Sequence, residues 1–241
     1  MNTATASPIQ ALIFDMDGLL VDSEPLTGIA LDALLGQYGC AIDYDDAELS
    51  ERLMGRRMPE ILAALAEICG ITAPAEELNE TLEALRVETI RGRLRAHCGA
   101  EELLDFAQAA GLGLALATSG RRSYVDAVLA ETRFTGRFDV EVTGESVTHG
   151  KPDPETYLQA ASRLGVAPAR CVVLEDAPNG IAAAVAAGMR AVAVPNVYTR
   201  ELRFSAAPEV VLPDLHVVIP WLQDQCIGGS PQSAWDWAWP T

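Results

Sequence analysis

Apolar and polar positions follow two different patterns along the chain, and the pattern changes near residues 24 and 95. The first apolar run, 11–14, ends abruptly in the acidic residues Asp15 and Asp17, which is typical of a buried strand that opens into a polar site. From 24 to 95 the apolar residues recur at helical spacing, and no stretch there has the pattern of a strand. We therefore predict one strand followed by an all-helical segment.

After Gly99 the pattern becomes an alternation of strands and helices. It predicts strands at 112–117, 138–142, 171–174 and 191–194, and helices at 121–130, 153–164, 178–187 and 214–223. This alternation is typical of an α/β fold, here a Rossmann-like and mostly parallel sheet with helices on both faces. The expected organisation is an α/β core (1–22 and 96–227), an inserted helical cap (23–95) and a C-terminal tail (228–241).

Composition excludes several classes of protein. The net charge is −17, from 34 acidic and 17 basic residues, which argues against a nucleic-acid or anionic-membrane partner because phosphates need clustered cations. An apolar content of 49% excludes a disordered chain. No apolar run is long enough to span a membrane, and the first residues lack the pattern of a signal peptide. We expect a cytoplasmic globular protein, with its oligomeric state left open.

The five cysteines are scattered and show no C-x-x-C spacing: Cys40, Cys69, Cys98, Cys171 and Cys226. This spacing predicts neither a disulfide framework nor a thiolate zinc site. We expect the cysteines to serve as small buried apolar residues.

The tail contains three tryptophans at alternate positions, Trp235, Trp237 and Trp239. In an extended segment these three rings would share one face. We expect the tail to dock on the protein's own surface, and the alternative is a contact with another subunit or a partner.

Polar side chains follow the predicted strands at four separate points. These are Asp15-Met16-Asp17-Gly18, Thr118-Ser119-Gly120, the segment around Lys151, and Glu175-Asp176. In an extended chain Asp15 and Asp17 point to the same side, and burying both is costly unless a cation neutralises them. Oxygen ligands with no nearby His or Cys suit a hard cation, so the expected cofactor is Mg²⁺.

The other two groups are suited to binding an anion. Lys151 is the single lysine of the chain, and the other 16 basic residues are arginines. Pro152 favours an extended backbone at Lys151, and Asp153 can cap a helix that begins at Pro154. The hydroxyl groups of Thr118 and Ser119 and the backbone N–H groups beside them can bind an anion at a strand end.

In this order, the four motifs resemble those of the haloacid dehalogenase-like hydrolase superfamily. The resemblance spans roughly 9–216 and is greatest to the branch with a helical cap after the first motif, which contains β-phosphoglucomutases and small-molecule phosphatases. It implies Asp15 as nucleophile and Asp17 as general acid and base. It also implies Mg²⁺ held by Asp15, the Asp17 carbonyl and Asp176, with Glu175 coordinating the ion or lying just behind its ligands. Thr118, the backbone of Ser119, and Lys151 would then hold the phosphoryl group.

Rival activities within the superfamily make different demands. Dehalogenases need neither Mg²⁺ nor a second aspartate, whereas this chain has Asp17, Glu175 and Asp176. Phosphonoacetaldehyde hydrolases need a lysine in the cap, and 24–95 contains none. The intact set of motif residues disfavours a binding module that has lost its chemistry.

Phosphosugar mutases are the closest alternative. Their pattern places a histidine where this chain has Thr27, and a lysine and an arginine around the cap glycine. Here that glycine lies in the stretch Met54-Gly55-Arg56-Arg57-Met58, with methionine at both expected cationic positions. We therefore predict a phosphatase that acts on a small phosphorylated metabolite, expected to be a sugar phosphate.

Two arginines of the cap are the candidates for substrate specificity. Arg56 and Arg57 lie beside Gly55 in a segment without lysine, and a guanidinium can hold a remote anion through two parallel hydrogen bonds. The alternative is that both are exposed charges at a helix start. Arg121 and Arg122, at the start of another predicted helix, are expected to lie on the surface.

Overall fold

The structure is a computed structural model that describes residues 8–43, 53 and 58–226. Its described strands form one six-stranded sheet in the order β3-β2-β1-β4-β5-β6, and every neighbouring pair is parallel. The strands are β1 (Ala11–Phe14), β2 (Gly113–Ala117), β3 (Val140–Val142), β4 (Cys171–Glu175), β5 (Arg190–Ala193) and β6 (Val210–Val211). The predicted α/β fold with a parallel sheet is confirmed.

Among the described residues, four helices lie between β1 and β2, and the others alternate with the later strands or follow the last one. They are α1 (Glu24–Gln37), α2 (Met58–Cys69), α3 (Ala75–Ile90), α4 (Ala100–Ala109), α5 (Arg122–Thr132), α6 (Glu155–Leu164), α7 (Pro178–Ala186) and α8 (Leu215–Cys226). Short 3₁₀ turns occur at Gly144–Ser146 and Pro168–Arg170. None of the helices in the described part of the chain has the length and apolar character needed to cross a bilayer.

Each strand and helix predicted after Gly99 is present, with its ends shifted by three residues at most. Two further elements lie outside the prediction. One is the helix α4, and the other is the edge strand β6, which has only two residues.

The sheet separates two apolar layers. Successive side chains of a strand point to opposite faces, so Leu12 and Phe14 pack with α4, α5 and α8, while Ala11 and Ile13 pack with α6 and α7. Both faces of the central strand are therefore buried, as expected for a parallel sheet covered by helices. This burial leaves the strand ends as the place where polar residues can gather.

The helical segment has an apolar cluster of its own, in which Leu34, Leu62, Leu65 and Leu82 are among the buried residues. Within it α1 packs along α3, and α3 also packs against α5 of the sheet domain. The chain leaves and rejoins the sheet domain at one place, where Val21 bridges Ala96 in antiparallel fashion. The exact domain bounds remain a prediction.

The expectation for the cysteines is wrong for one pair. Cys40 and Cys69 form a disulfide with their Cα atoms 5.8 Å apart, because the chain beyond α1 folds back against the last residue of α2. Their separation of 29 residues gave no indication of this meeting. Of the others with described side chains, Cys171 is buried as expected, whereas Cys98 is exposed and the expectation is wrong there as well.

Two predictions fall outside the described residues. Arg56 and Arg57 belong to the stretch 54–57, and the three tail tryptophans belong to 227–241. Their proposed roles therefore stay predictions.

Candidate active site

Four of the predicted site residues meet at the carboxyl edge of the sheet. The Lys151 Nζ atom lies 2.5 Å from Asp15 Oδ1 and 2.8 Å from Glu175 Oε1. Asp15, Glu175 and Asp176 each offer a carboxylate oxygen within 4.8 Å of the others, and all three side chains are buried. The chain thus brings together residues that are up to 161 positions apart in sequence, counting from Asp15 to Asp176.

Strand register explains why these groups meet. β1 and β4 are neighbours with Phe14 opposite Leu174, so Asp15 and Glu175 emerge at the same level. Both oxygens of Glu175 have partners, since Tyr157 and Lys151 donate to Oε1 and the Ala177 N–H donates to Oε2. These contacts fix the Glu175 carboxylate in the position from which it accepts the hydrogen bond of Lys151.

Gly180 leaves the space that the Glu175 carboxylate occupies. A Cβ atom at Gly180, in the first turn of α7, would lie 1.6 Å from Glu175 Oε1. Any other residue at this position would displace the carboxylate that Lys151 contacts.

Burial dominates the electrostatics of the cluster. Desolvation raises the pKa of Asp15 to about 8, and Glu175 adds to the rise while Lys151 opposes it. Desolvation also raises the pKa of Asp176, with the negative charges of Glu175 and Asp15 acting in the same direction. Burial disfavours the charge on Lys151, but Asp15 and Glu175 outweigh it and raise the pKa of the lysine.

Three buried carboxyl groups share one cation, so the edge carries an excess of negative charge when all three are ionised. Carboxylate oxygens are the ligands that a hard divalent cation prefers. Mg²⁺ in particular binds one or two carboxylates and keeps several waters. The residues present therefore fit a magnesium ion.

The predicted anion-binding loop lies on the adjacent strand. β1 and β2 are paired with Phe14 opposite Leu116, which places Thr118 one residue beyond the level of Asp15. Thr118 is buried, and its Oγ1 accepts a hydrogen bond from the Gly120 N–H at 3.0 Å. Ser119 is exposed between them. The loop is held close to the next turn by the Gly144 N–H, which donates to the Gly120 carbonyl.

The side chain of Asp17 lies outside the cluster of three carboxylates and has partners of its own. Its Oδ1 accepts hydrogen bonds from Ser23 Oγ at 2.6 Å, Tyr124 OH at 2.7 Å and Arg86 Nη2 at 3.1 Å. Arg86 comes from α3 in the helical segment, and its Nε donates to Thr27 Oγ1. A cationic side chain of the helical segment therefore contacts the carboxylate predicted to be the general acid and base.

Sequence reasoning missed Arg86, although a signal was present. Leu78, Leu82 and Arg86 follow one another at intervals of four, so the arginine falls on the buried face of α3. A charge on an apolar face needs a buried partner. The partners here, Asp17 and Glu83, both lie 3.1 Å away.

A cavity of about 530 Å³ lies between α3 and the start of α5, and Arg121, which follows the predicted anion-binding loop, is among its lining residues. Three glutamates and one arginine contribute its charges, and it is lined by Glu80, Glu83, Ala84, Val87, Arg121, Ser123 and Glu145. Arg121 is half-buried rather than on the open surface, and it pairs with Glu76 and Glu80 of α3 and with Glu145.

The fold and the site together define an α/β protein with buried carboxylates and one lysine at the carboxyl edge of its sheet. The chain belongs to the haloacid dehalogenase-like hydrolases, because the model of that family matches residues 9–188. It is a phosphoric monoester hydrolase of this family.

Characterised relatives and solved structures are similar over most of the chain. A phosphorylated carbohydrates phosphatase from Thermotoga maritima is 36% identical over 75% of this chain and 82% of its own. The fructose-1-phosphate phosphatase YqaB from Escherichia coli is 36% identical over 76% of this chain and 95% of its own. The crystal structure of a CbbY mutant from Rhodobacter sphaeroides with xylulose-(1,5)bisphosphate is 28% identical. It superposes with a TM-score of 0.77 over 86% of this chain and 95% of that one.

Proposed function

We propose that this protein is a Mg²⁺-dependent phosphatase that hydrolyses a small sugar phosphate through an aspartyl-phosphate intermediate. The observation that carries the proposal is the contact of Lys151 with both Asp15 and Glu175 at a buried strand end that also holds Asp176. A buried lysine beside a carboxylate nucleophile supplies the positive charge that a transferring phosphoryl group requires. The acidic composition disfavours a nucleic-acid partner, because phosphate backbones need clustered cations.

In the first step, an oxygen of Asp15 forms a bond to phosphorus as the bond to the leaving oxygen breaks. Lys151, Thr118 and the backbone of Ser119 hold the phosphoryl oxygens, which places the phosphorus in line with Asp15. Asp17 gives a proton to the leaving alcohol, so the alcohol departs neutral.

In the second step, a water oxygen forms a bond to phosphorus and the bond to Asp15 breaks. Asp17, now a carboxylate, takes the proton of that water. The products are inorganic phosphate and the regenerated Asp15 carboxylate. Splitting hydrolysis into two displacements is the advantage of a nucleophilic carboxylate.

Asp15, Asp176 and the Asp17 carbonyl would hold the Mg²⁺ ion, with Glu175 beside them. When bound, the ion neutralises negative charge on the phosphoryl oxygens and on the nucleophile.

The cavity between α3 and α5 is the proposed place for the leaving group. Its carboxylates, from Glu80, Glu83 and Glu145, are hydrogen-bond acceptors, which suits a leaving group rich in hydroxyl groups. The names of the two phosphatase relatives, which act on phosphorylated carbohydrates and on fructose 1-phosphate, support this class of substrate. Arg56 and Arg57 remain our candidates for contacts with the remote part of the substrate.

The test is phosphate release from a panel of sugar phosphates and an aryl phosphate, with and without Mg²⁺. We expect release to require Mg²⁺ and to be abolished in Asp15→Asn, since an amide is no nucleophile toward phosphorus. Asp22→Asn, which removes a carboxylate from a nearby exposed position, should retain activity. Phosphate release by a folded Asp15→Asn variant would refute the covalent route. Interconversion of sugar phosphates in the presence of a bisphosphate, faster than phosphate release, would identify a mutase instead.

A further inference from the structure

A fourth carboxylate lies beside the magnesium site and has no role so far. Glu24, the first residue of α1, is linked to Asp176 through Asn196, which follows β5. The Asn196 Nδ2 atom lies 2.8 Å from Glu24 Oε1, 3.0 Å from Asp176 Oδ2 and 3.1 Å from the Gly18 carbonyl oxygen. The other oxygen of Glu24, Oε2, is buried and has no hydrogen-bond partner among the described residues.

This arrangement leaves acceptors unsatisfied. An amide NH₂ group carries two protons, so Asn196 cannot give a full hydrogen bond to three oxygens. Two of the three belong to carboxylates, which repel each other when both are ionised. Within the described part of the chain, no ion pair reaches either Glu24 or Asp176.

The backbone at Gly18 shows how closely the two carboxylates approach. A Cβ atom at Gly18 would lie 2.4 Å from Glu24 Oε1 and 2.6 Å from Asp176 Oδ2. Both oxygens therefore converge on this glycine, whose φ of +80° also disfavours a side chain. The fold holds Glu24 against Asp176 rather than turning it toward solvent.

We propose that Glu24 is a further residue of the magnesium site, which binds water carried by the ion through its free Oε2. The inference rests on the proposed function, which supplies the ion. Mg²⁺ keeps several of its waters when it binds protein carboxylates, and those waters need acceptors. Asn196 keeps Glu24 and Asp176 at a fixed separation, as groups behind the direct ligands commonly do.

The test compares Mg²⁺ binding to the full-length wild type, Glu24→Gln and Asp22→Asn by titration calorimetry. Glu24→Gln preserves shape and removes the charge, while Asp22→Asn removes the same charge two residues away on the exposed surface. We expect Glu24→Gln to raise the dissociation constant for Mg²⁺ by about tenfold, which is the lower end of the effect of losing a group behind the direct ligands. We expect Asp22→Asn to change it by less than about twofold, since exposed charges are screened.

Thermal unfolding separates this role from a purely structural one. With Mg²⁺ removed by a chelator, Glu24→Gln should melt at or above the wild-type temperature, because the repulsion with Asp176 is gone. With millimolar Mg²⁺ the melting temperature of Glu24→Gln should rise by less than that of the wild type. A lower melting temperature without Mg²⁺ together with an unchanged gain would mean that Glu24 is structural. Equal Mg²⁺ affinity in Glu24→Gln and wild type would also overturn the inference. Absence of Mg²⁺ binding by the wild type would instead refute the proposed magnesium site.

Discussion

Lys151 illustrates how much can depend on one residue. It is the single lysine of the chain, it is buried, and it contacts Asp15 and Glu175 at the centre of the site. Arginine could carry the same charge, but its planar guanidinium has a different shape and cannot replace a compact ammonium group between two carboxylates. The position therefore requires a lysine in a chain that otherwise uses arginine.

Replacing Lys151 by methionine should destabilise the protein. The variant leaves Asp15 and Glu175 without their shared cation, and breaking a buried ion pair by removing one partner costs about 3–5 kcal/mol. The loss should be larger at pH 9 than at pH 6. The pKa of Asp15 is raised to about 8, so below that value the carboxyl holds a proton and presents no charge for the lysine to neutralise.

Urea unfolding at the two pH values measures this effect, with Lys151→Arg as the control that keeps the charge. Lys151→Arg should lose less stability than Lys151→Met at pH 9. A methionine variant as stable as the wild type at pH 9 would contradict the buried ion pair.

At the scale of elements, the disulfide ties the end of α2 to the segment that follows α1. Cys40 and Cys69 enclose the part of the helical segment that contains Arg56 and Arg57. Disulfides persist in oxidising compartments and are rare in the cytosol. The disulfide and the predicted cytoplasmic location thus point in opposite directions. A count of free thiols in the protein purified without reductant tests the bond, because its formation removes two free thiols.

Loss of the disulfide should lower the stability of the helical segment. Closing a loop of this length removes chain entropy from the unfolded state that corresponds to about 3–4 kcal/mol. We expect Cys40→Ser/Cys69→Ser to melt at a lower temperature than the wild type under non-reducing conditions. Cys98→Ser, which removes an exposed free thiol, should melt with the wild type. A reductant should lower the wild-type melting temperature and leave the double variant unchanged, and equal melting of all three proteins without reductant would show that the bond contributes nothing.

The elements also show what the sequence could and could not predict. Strands such as β1 and β4 are continuous apolar runs that end in acidic residues, so the sequence predicts both the strand and the polar site at its end. The helix α4 was predictable as well, because the buried residues Leu103, Leu104 and Ala107 keep helical spacing. The strand β6 was not, since two residues at a sheet edge carry no periodic pattern.

Within the site, the predictable residues are those on motifs that follow strands. The role of Asn196 could not be predicted from the sequence. Its contacts with Gly18 and Glu24 span more than 170 residues, and the residues around it form no recognisable motif. The disulfide could not be predicted for the same reason. The contact between Cys40 and Cys69 depends on how α1 and α2 pack and not on local sequence.

For the whole molecule, the net charge of −17 opposes the approach of an anionic substrate. Charges inside the site act at short range and are partly buried, so salt screens them little, whereas the exposed surface charges are screened within about 10 Å at 0.1 M salt. Added salt should therefore remove the repulsion and retain the attraction.

We expect kcat/KM for a phosphomonoester to rise about two- to threefold between 20 and 150 mM NaCl at saturating Mg²⁺. Steered enzymes with a field that attracts the substrate show the opposite trend. A series with sucrose in place of salt controls for viscosity. A fall in kcat/KM with added salt would mean that the field at the mouth of the site is positive despite the overall charge.

The bridge between Val21 and Ala96 has a consequence for how such a protein can diverge. The two chain segments that join the helical segment to the sheet lie side by side, and the Asp22 N–H donates to the Arg95 carbonyl at 3.0 Å. A stretch of chain that begins and ends at the same point can be lengthened, shortened or exchanged without moving β1 or its neighbours. Recombination at two points that are 75 residues apart in sequence and adjacent in the fold can therefore exchange this segment, while the strands and the carboxylates of Asp15, Glu175 and Asp176 are inherited unchanged.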